Sequence, residues 1–184
     1  MTVNPLNDWK SKFKDMPKSN SAAWGKNLAD LYSELIQNIE TDPTALQSVL
    51  TFTFQKPIFA SLMMSMPPVT SSQAGALGVA TAWETAILAS TVAVANGAII
   101  PPPSPATTFS VVASSVIDPQ SIIGAKKKIL ELASAKPTSK SEDAKMPVIL
   151  REATLLLTIT VTGTDSTPPP SGPLPLTAPN IPLV

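Results

Sequence analysis

Histidine and cysteine are both absent from the 184 residues. Without cysteine there is no disulfide, no thiolate nucleophile and no zinc–thiolate site. Without histidine, the side chain that most often performs acid–base catalysis near neutral pH is missing. Aromatic residues are only 5%, and charged residues 14%, well below the roughly 25% of an ordinary soluble domain. Thirteen basic residues balance thirteen acidic ones, so no net positive field argues for nucleic acid. A neutral, charge-poor chain tends to associate. These absences favour a non-catalytic protein that binds other proteins, without metal or cofactor.

The few charges are unevenly placed. They run from Asp8 to Lys56 and from Asp118 to Glu152, with Asp165 alone beyond. Between Lys56 and Asp118 only Glu84 is charged, and no charged side chain follows Asp165. Met1–Lys18 is polar and mixed in charge, unlike a secretory signal, which needs a basic start and an apolar run.

Periodicity predicts a helix over 21–40, where Trp24, Leu28, Leu31, Leu35 and Ile39 recur three and four apart, with Tyr32 and Ile36 widening the stripe. Asp42-Pro43 reads as a cap followed by proline at the first position of a short helix. Residues 50–54 instead alternate as a strand would, which leaves 43–56 open between helix and strand. Ile58–Met66 is a short apolar piece stopped by Pro67-Pro68.

A second long helix is expected from Ser71 or Ser72 to Gly97. The small residues Ala74, Gly78, Ala82, Ala86 and Ser90 share one of its faces, and Gly97 stands at its C′ position. Pro101-Pro102-Pro103 forbids continuation, and Thr107–Ile117 is β-prone. Asp118-Pro119 opens a further helix to about Ala135, and Ser141-Glu142-Asp143 another, in which Pro147 fits only a late start. Residues 153–163 read as a strand in which Leu155, Leu157, Ile159 and Val161 alternate with Leu156, Thr158, Thr160 and Thr162. Ser166–Val184 holds seven prolines and has no packing periodicity.

The expected architecture is therefore α+β but predominantly helical. It has four or five helices, a small antiparallel or mixed sheet element from 107–117 and 153–163, and an extended proline-rich arm. The division is 1–20 as a polar segment, 21–165 as one domain and 166–184 as the arm.

Candidate chemistry is thin. Ser11-Lys12-Phe13-Lys14 matches S-x-x-K, a pattern common by chance, and nothing around it would desolvate the lysine. Glu142-Asp143 suits helix capping better than metal binding. Lys126-Lys127-Lys128 spreads over about 200° of a helix, so a solvated face fits better than an anionic ligand, and Glu131 is placed to pair with Lys127. Trp9 and Phe13, four apart, suit either a helix stripe or docking on a neighbour. Glu84, alone in an apolar helix, suits a bond to a hydroxyl or a cation. A membrane span over 74–100 is disfavoured by that mid-span carboxylate and by the absence of flanking cations. In the arm, Leu174, Leu176, Ile181 and Leu183 are the anchors available to a neighbour's groove.

Three features together resemble the small virion structural proteins of tailed bacteriophages: the Trp24–Ile39 stripe, the Ala-Trp-Glu-Thr-Ala-Ile-Leu-Ala-Ser run at 82–90, and polyproline connectors with a threonine-rich strand before a proline arm. The resemblance is one of style. It implies a multi-copy subunit in the neck, tail, baseplate or capsid, assembled in the host cytoplasm with copies of itself and other structural proteins. Two other classes remain open, a holin-type membrane protein using 74–100 and a soluble assembly adaptor. The interface residues expected are Trp9, Phe13, Glu84, Leu174, Leu176, Ile181 and Leu183.

Overall fold

The computed structural model describes residues 21–36, 39–66, 72–101, 107–134, 145–165 and 175–184. Among them are five helices: α1 (Ser21–Ile36), α2 (Lys56–Met64), α3 (Ser72–Leu88), α4 (Pro119–Ser134) and α5 (Lys145–Thr154). Six strands accompany them: β1 (Leu50–Thr53), β2 (Thr91–Val94), β3 (Ala98–Ile100), β4 (Thr107–Ile117), β5 (Thr158–Asp165) and β6 (Pro175–Pro182). The expectation of a predominantly helical chain with a small sheet element and an extended arm is thus corrected. The fold is α+β with two sheets, one of them a four-stranded curled half-barrel.

Three segments carry the correction. The helix expected to run to Gly97 stops at Leu88, and β2 follows. Thr91 to Val94 alternates exposed and buried, so a β-branched residue falls at every second position of a half-covered surface. Gly97 is not a helix cap. At φ +82° it sits in the irregular step between β2 and β3, and its N–H reaches Phe109 O at 2.7 Å. The proposed helix after Pro43 is a single turn. Ala45 and Leu46 both donate to Asp42 O, while the Asp42 carboxylate accepts the Thr44 N–H and hydroxyl at 2.8 and 2.7 Å. Part of the proline-rich arm is β6, hydrogen-bonded along β5.

Strand order in the larger sheet is β3-β4-β5-β6, antiparallel throughout, and β1 pairs with β2 in the smaller one. Bulges in the β4–β5 and β5–β6 pairings bend the sheet. Residues 39–54 then span its two edges. Glu40 and Val184 exchange both backbone hydrogen bonds at 3.0 Å, and Gln47 and Ile99 do the same at 2.9 and 3.0 Å. This strap fills the open side of the half-barrel with Leu46, whose side chain is fully buried. β2 joins the same wall through side chains. Ser115 Oγ donates to Val92 O, and the Asn96 amide oxygen takes the Val112 N–H, each at 2.8 Å.

On β5 the alternation read from the sequence sends Ile159, Val161 and Gly163 inward and leaves the threonines half covered. Leu155 is not part of that face. Helix α5 ends in a turn over 154–157, so Leu155 and Leu156 are exposed and only Leu157 enters the core. The helix contacts run α1–α2–α3–α4–α5 and return to α1. Their buried faces and the sheet's inner face form one continuous core.

Candidate interface

At the centre of the helices stand Tyr32 of α1 and Trp83 of α3, both fully buried. The Trp83 indole N–H donates to the Tyr32 hydroxyl, which donates to Thr154 Oγ1 at 2.9 Å. Thr154 in turn spends its proton on Leu150 O at 2.7 Å, which sets the direction of the chain of bonds. Burial pushes the Tyr32 phenol far above its ordinary range, only partly offset by its bonds to Thr154 and Trp83. Phe54 and Phe59 meet its ring edge-on at 5.0 and 5.7 Å. Every polar atom named has a partner in the protein, so this is a structural network.

Asp118 shows how a helix-start signal is used for another purpose. Its carboxylate accepts the hydroxyls of Thr158 and Thr160 of β5 at 2.8 and 2.6 Å, while Ser121 returns to its carbonyl. The residue therefore pins the start of α4 to the sheet.

The three consecutive lysines of α4 point to three different places, as their angular spread requires. Lys126 pairs with Glu84 of α3 at 2.5 Å, with both side chains mostly covered. Lys127 pairs with Glu131 of its own helix at 3.9 Å, and Lys128 with Glu152 of α5 at 3.9 Å. Lys126 and Lys128 link α4 to α3 and α5, while Lys127 stays on its own helix. Glu84 thus meets a cation of its own chain.

Of the other residues expected at an interface, Trp9, Phe13 and Leu174 lie outside the described residues. Leu176 is half-buried against the core, and Ile181 and Leu183 are buried in it. These three are anchors, but in a groove of their own chain. The small-residue face of α3 also turns inward, with Ala82 and Ala86 buried.

What sequence reasoning missed is the opposite face of α3. Leu77, Thr81, Thr85 and Leu88 are exposed and fall four, four and three apart, which makes one stripe. Thr85 returns its hydroxyl to Thr81 O at 2.9 Å, and Leu77 and Leu88 are 54% and 62% exposed. The stripe carries no charge. Its spacing was present in the sequence, but four faces of an alanine-rich helix look alike until the core chooses one.

Among the described residues no three acidic, histidine or cysteine side chains are grouped to hold a metal. Among them, too, no helix is long and apolar enough to cross a membrane, and the stretch 74–100 is divided between α3, β2 and β3. No protein-family model matches the chain, and neither a curated protein nor a solved structure matches it.

Proposed function

We propose that this protein is a non-catalytic structural subunit of a multi-subunit assembly, and that the assembly is a tailed-phage virion, built in the host cytoplasm. The observation that carries the subunit reading is the uncharged outer stripe of α3, Leu77, Thr81, Thr85 and Leu88, on a helix whose other face is already core. Leu77 and Leu88 stand exposed at the stripe's two ends with only threonines between them, an uncharged surface that supports contact with a partner subunit. The polar groups drawn into the fold support the same reading, since the Tyr32, Asp118 and Lys126 bonds hold its elements together. The virion is supported by the resemblance in pattern alone.

Light scattering over a concentration series tests the subunit reading, with Leu77→Glu and Leu88→Glu as variants. Self-association or capture by partner subunits, abolished by either charge while circular dichroism is unchanged, is the expected result. A wild-type chain that stays monomeric and binds no particle component would sink it. Mass spectrometry of purified particles tests the virion, where the chain should be present in many copies.

A further inference from the structure

Strand β1 has a partner on one side only. It pairs with β2, and among the described residues no strand lies beyond it. Ala95 N–H reaches Val49 O at 3.0 Å, so in this register Val49, Thr51 and Thr53 turn their backbone groups towards β2. The N–H and C=O of Leu50 and Phe52 therefore point the other way. Among the described residues nothing bonds to them.

The other edges are guarded. Ile99 of β3 exchanges both backbone bonds with Gln47, and the far side of β2 meets β4 where Ser115 Oγ donates to Val92 O. β6 carries Pro175, Pro179 and Pro182, and residues 40–42 bond to its end. Edge strands ordinarily carry such a guard, in the form of a charge, a proline or a covering segment. Along β1 no described segment is bonded to the outer edge, and residues 48–54 (Ser-Val-Leu-Thr-Phe-Thr-Phe) hold no charge, proline or glycine. Leu50 and Phe52 pack on the core, while Val49, Thr51 and Thr53 face outward. Val49, at 72%, is the most exposed large apolar side chain among the described residues.

We infer that β1 pairs with β1 of a second copy, antiparallel about a two-fold axis through Thr51. The inference rests on the subunit reading and deepens it by naming the partner and the surface. The edge is complementary to itself. With the axis at Thr51, Leu50 of each copy faces Phe52 of the other, and each such pair exchanges both N–H···O bonds. Every outward backbone group of the strand is then satisfied. On the outer face Thr51 meets its own counterpart and Val49 meets Thr53, a row of β-branched pairs that suits a sheet surface. One patch serves on both sides, as a closed two-fold contact requires. Each copy is neutral overall and brings no charged side chain to the axis, so nothing repels the approach.

The absence of cysteine makes the test clean, since each introduced thiol reports alone. Facing residues of a non-hydrogen-bonded pair have Cα atoms about 4.5 Å apart, within the span of a disulfide. Folded Thr51→Cys protein, oxidised in glutathione buffer over a concentration series, should form a disulfide dimer. Thr53→Cys alone should not, because across this axis its two copies stand about 14 Å apart. Thr53→Cys mixed with Val49→Cys should. At equal concentration the T51C yield is expected to exceed that of T53C by about tenfold or more. In the wild type, amide exchange of Leu50 and Phe52 should slow as concentration rises, while Thr51 and Thr53, already bonded to β2, should not change.

Equal yields from T51C and T53C would mean chance collision and overturn the pairing. So would Leu50 and Phe52 amides already protected at the lowest concentration, because the edge would then be covered within the chain. Wild-type oligomers in light scattering, or capture of particle components, without a T51C dimer remove the β1 pairing and leave the subunit. Dimers through Thr51 that survive Leu77→Glu and Leu88→Glu uphold the pairing and remove the α3 stripe. Monomers throughout that capture no particle component remove both.

Discussion

Glu40 and Val184 exchange two backbone hydrogen bonds of 3.0 Å, which fastens the strap at 39–54 to the outer side of the strand that ends the sheet. A segment without charge, rich in proline and lacking any periodicity is by this contact made part of the core. Its register is held from both sides, because Leu183 N–H also reaches Leu157 O at 3.2 Å.

Leu183 should accordingly behave as a core residue. Leu183→Ala is expected to lower stability by about 2–4 kcal/mol, the ordinary range for a buried leucine. The half-buried Leu176→Ala should cost less. Urea unfolding followed by tryptophan fluorescence measures both, and equal midpoints for Leu183→Ala and wild type would contradict the closed half-barrel.

Tyr32→Phe removes the hydroxyl that accepts from Trp83 and donates to Thr154. The buried indole N–H is left without that acceptor, at a cost of about 1–3 kcal/mol. The effect should shrink in a Thr154→Val background, where part of the network is already gone, and a double-mutant cycle reads the coupling.

The same residue sets a pH dependence in alkali. The folded state holds the phenol protonated by burying it, so its folded pKa lies above the unfolded one. This contribution to stability is complete below the ordinary tyrosine value of about 10 and is lost as pH rises from there towards the folded value. Since Tyr32 is the only tyrosine, tyrosinate absorbance reports it alone. Absorbance should rise together with the loss of near-ultraviolet dichroism, and a rise in fully folded protein near pH 10 would contradict the burial.

Asn180 has φ +55° in the bulge of β6 opposite β5, and that extra residue lets both Ala178 and Ile181 face the core. The left-handed region suits glycine and asparagine and penalises β-branched side chains. Asn180→Gly should leave the thermal midpoint within a few degrees, while Asn180→Val should lower stability by about 1–2 kcal/mol.

Gly163 of β5 faces inward where a side chain would be expected. A Cβ there would stand 2.2 Å from Val111 O, on the neighbouring strand's backbone. Gly163→Ala must therefore displace β4 or break the pairing at its bulge. The variant should be at least as destabilised as Leu183→Ala, and amide exchange should quicken along residues 109–117.

Sequence alone determined the elements whose signal is local. The stripe of Leu28, Leu31, Tyr32 and Ile36 forms a helix, though Ile39 and Glu40 of the expected 21–40 lie outside it; the β-branched run at 107–117 forms a strand; and the alternation expected over 153–163 forms one only from Thr158. The i,i+4 pairing of Lys127 with Glu131 was legible for the same reason. Tertiary structure decided what depends on a distant partner. Nothing near Pro175–Val184 marks a strand, because its hydrogen bonds come from β5 and from residues 40–42. Nothing near Asp118 says that its carboxylate serves Thr158 and Thr160. Local periodicity cannot tell which face of α3 is core, since alanine, glycine and threonine surround it evenly. Packing against α2 and α4 resolved that ambiguity, burying Trp83 and Ile87 and leaving the uncharged stripe outside.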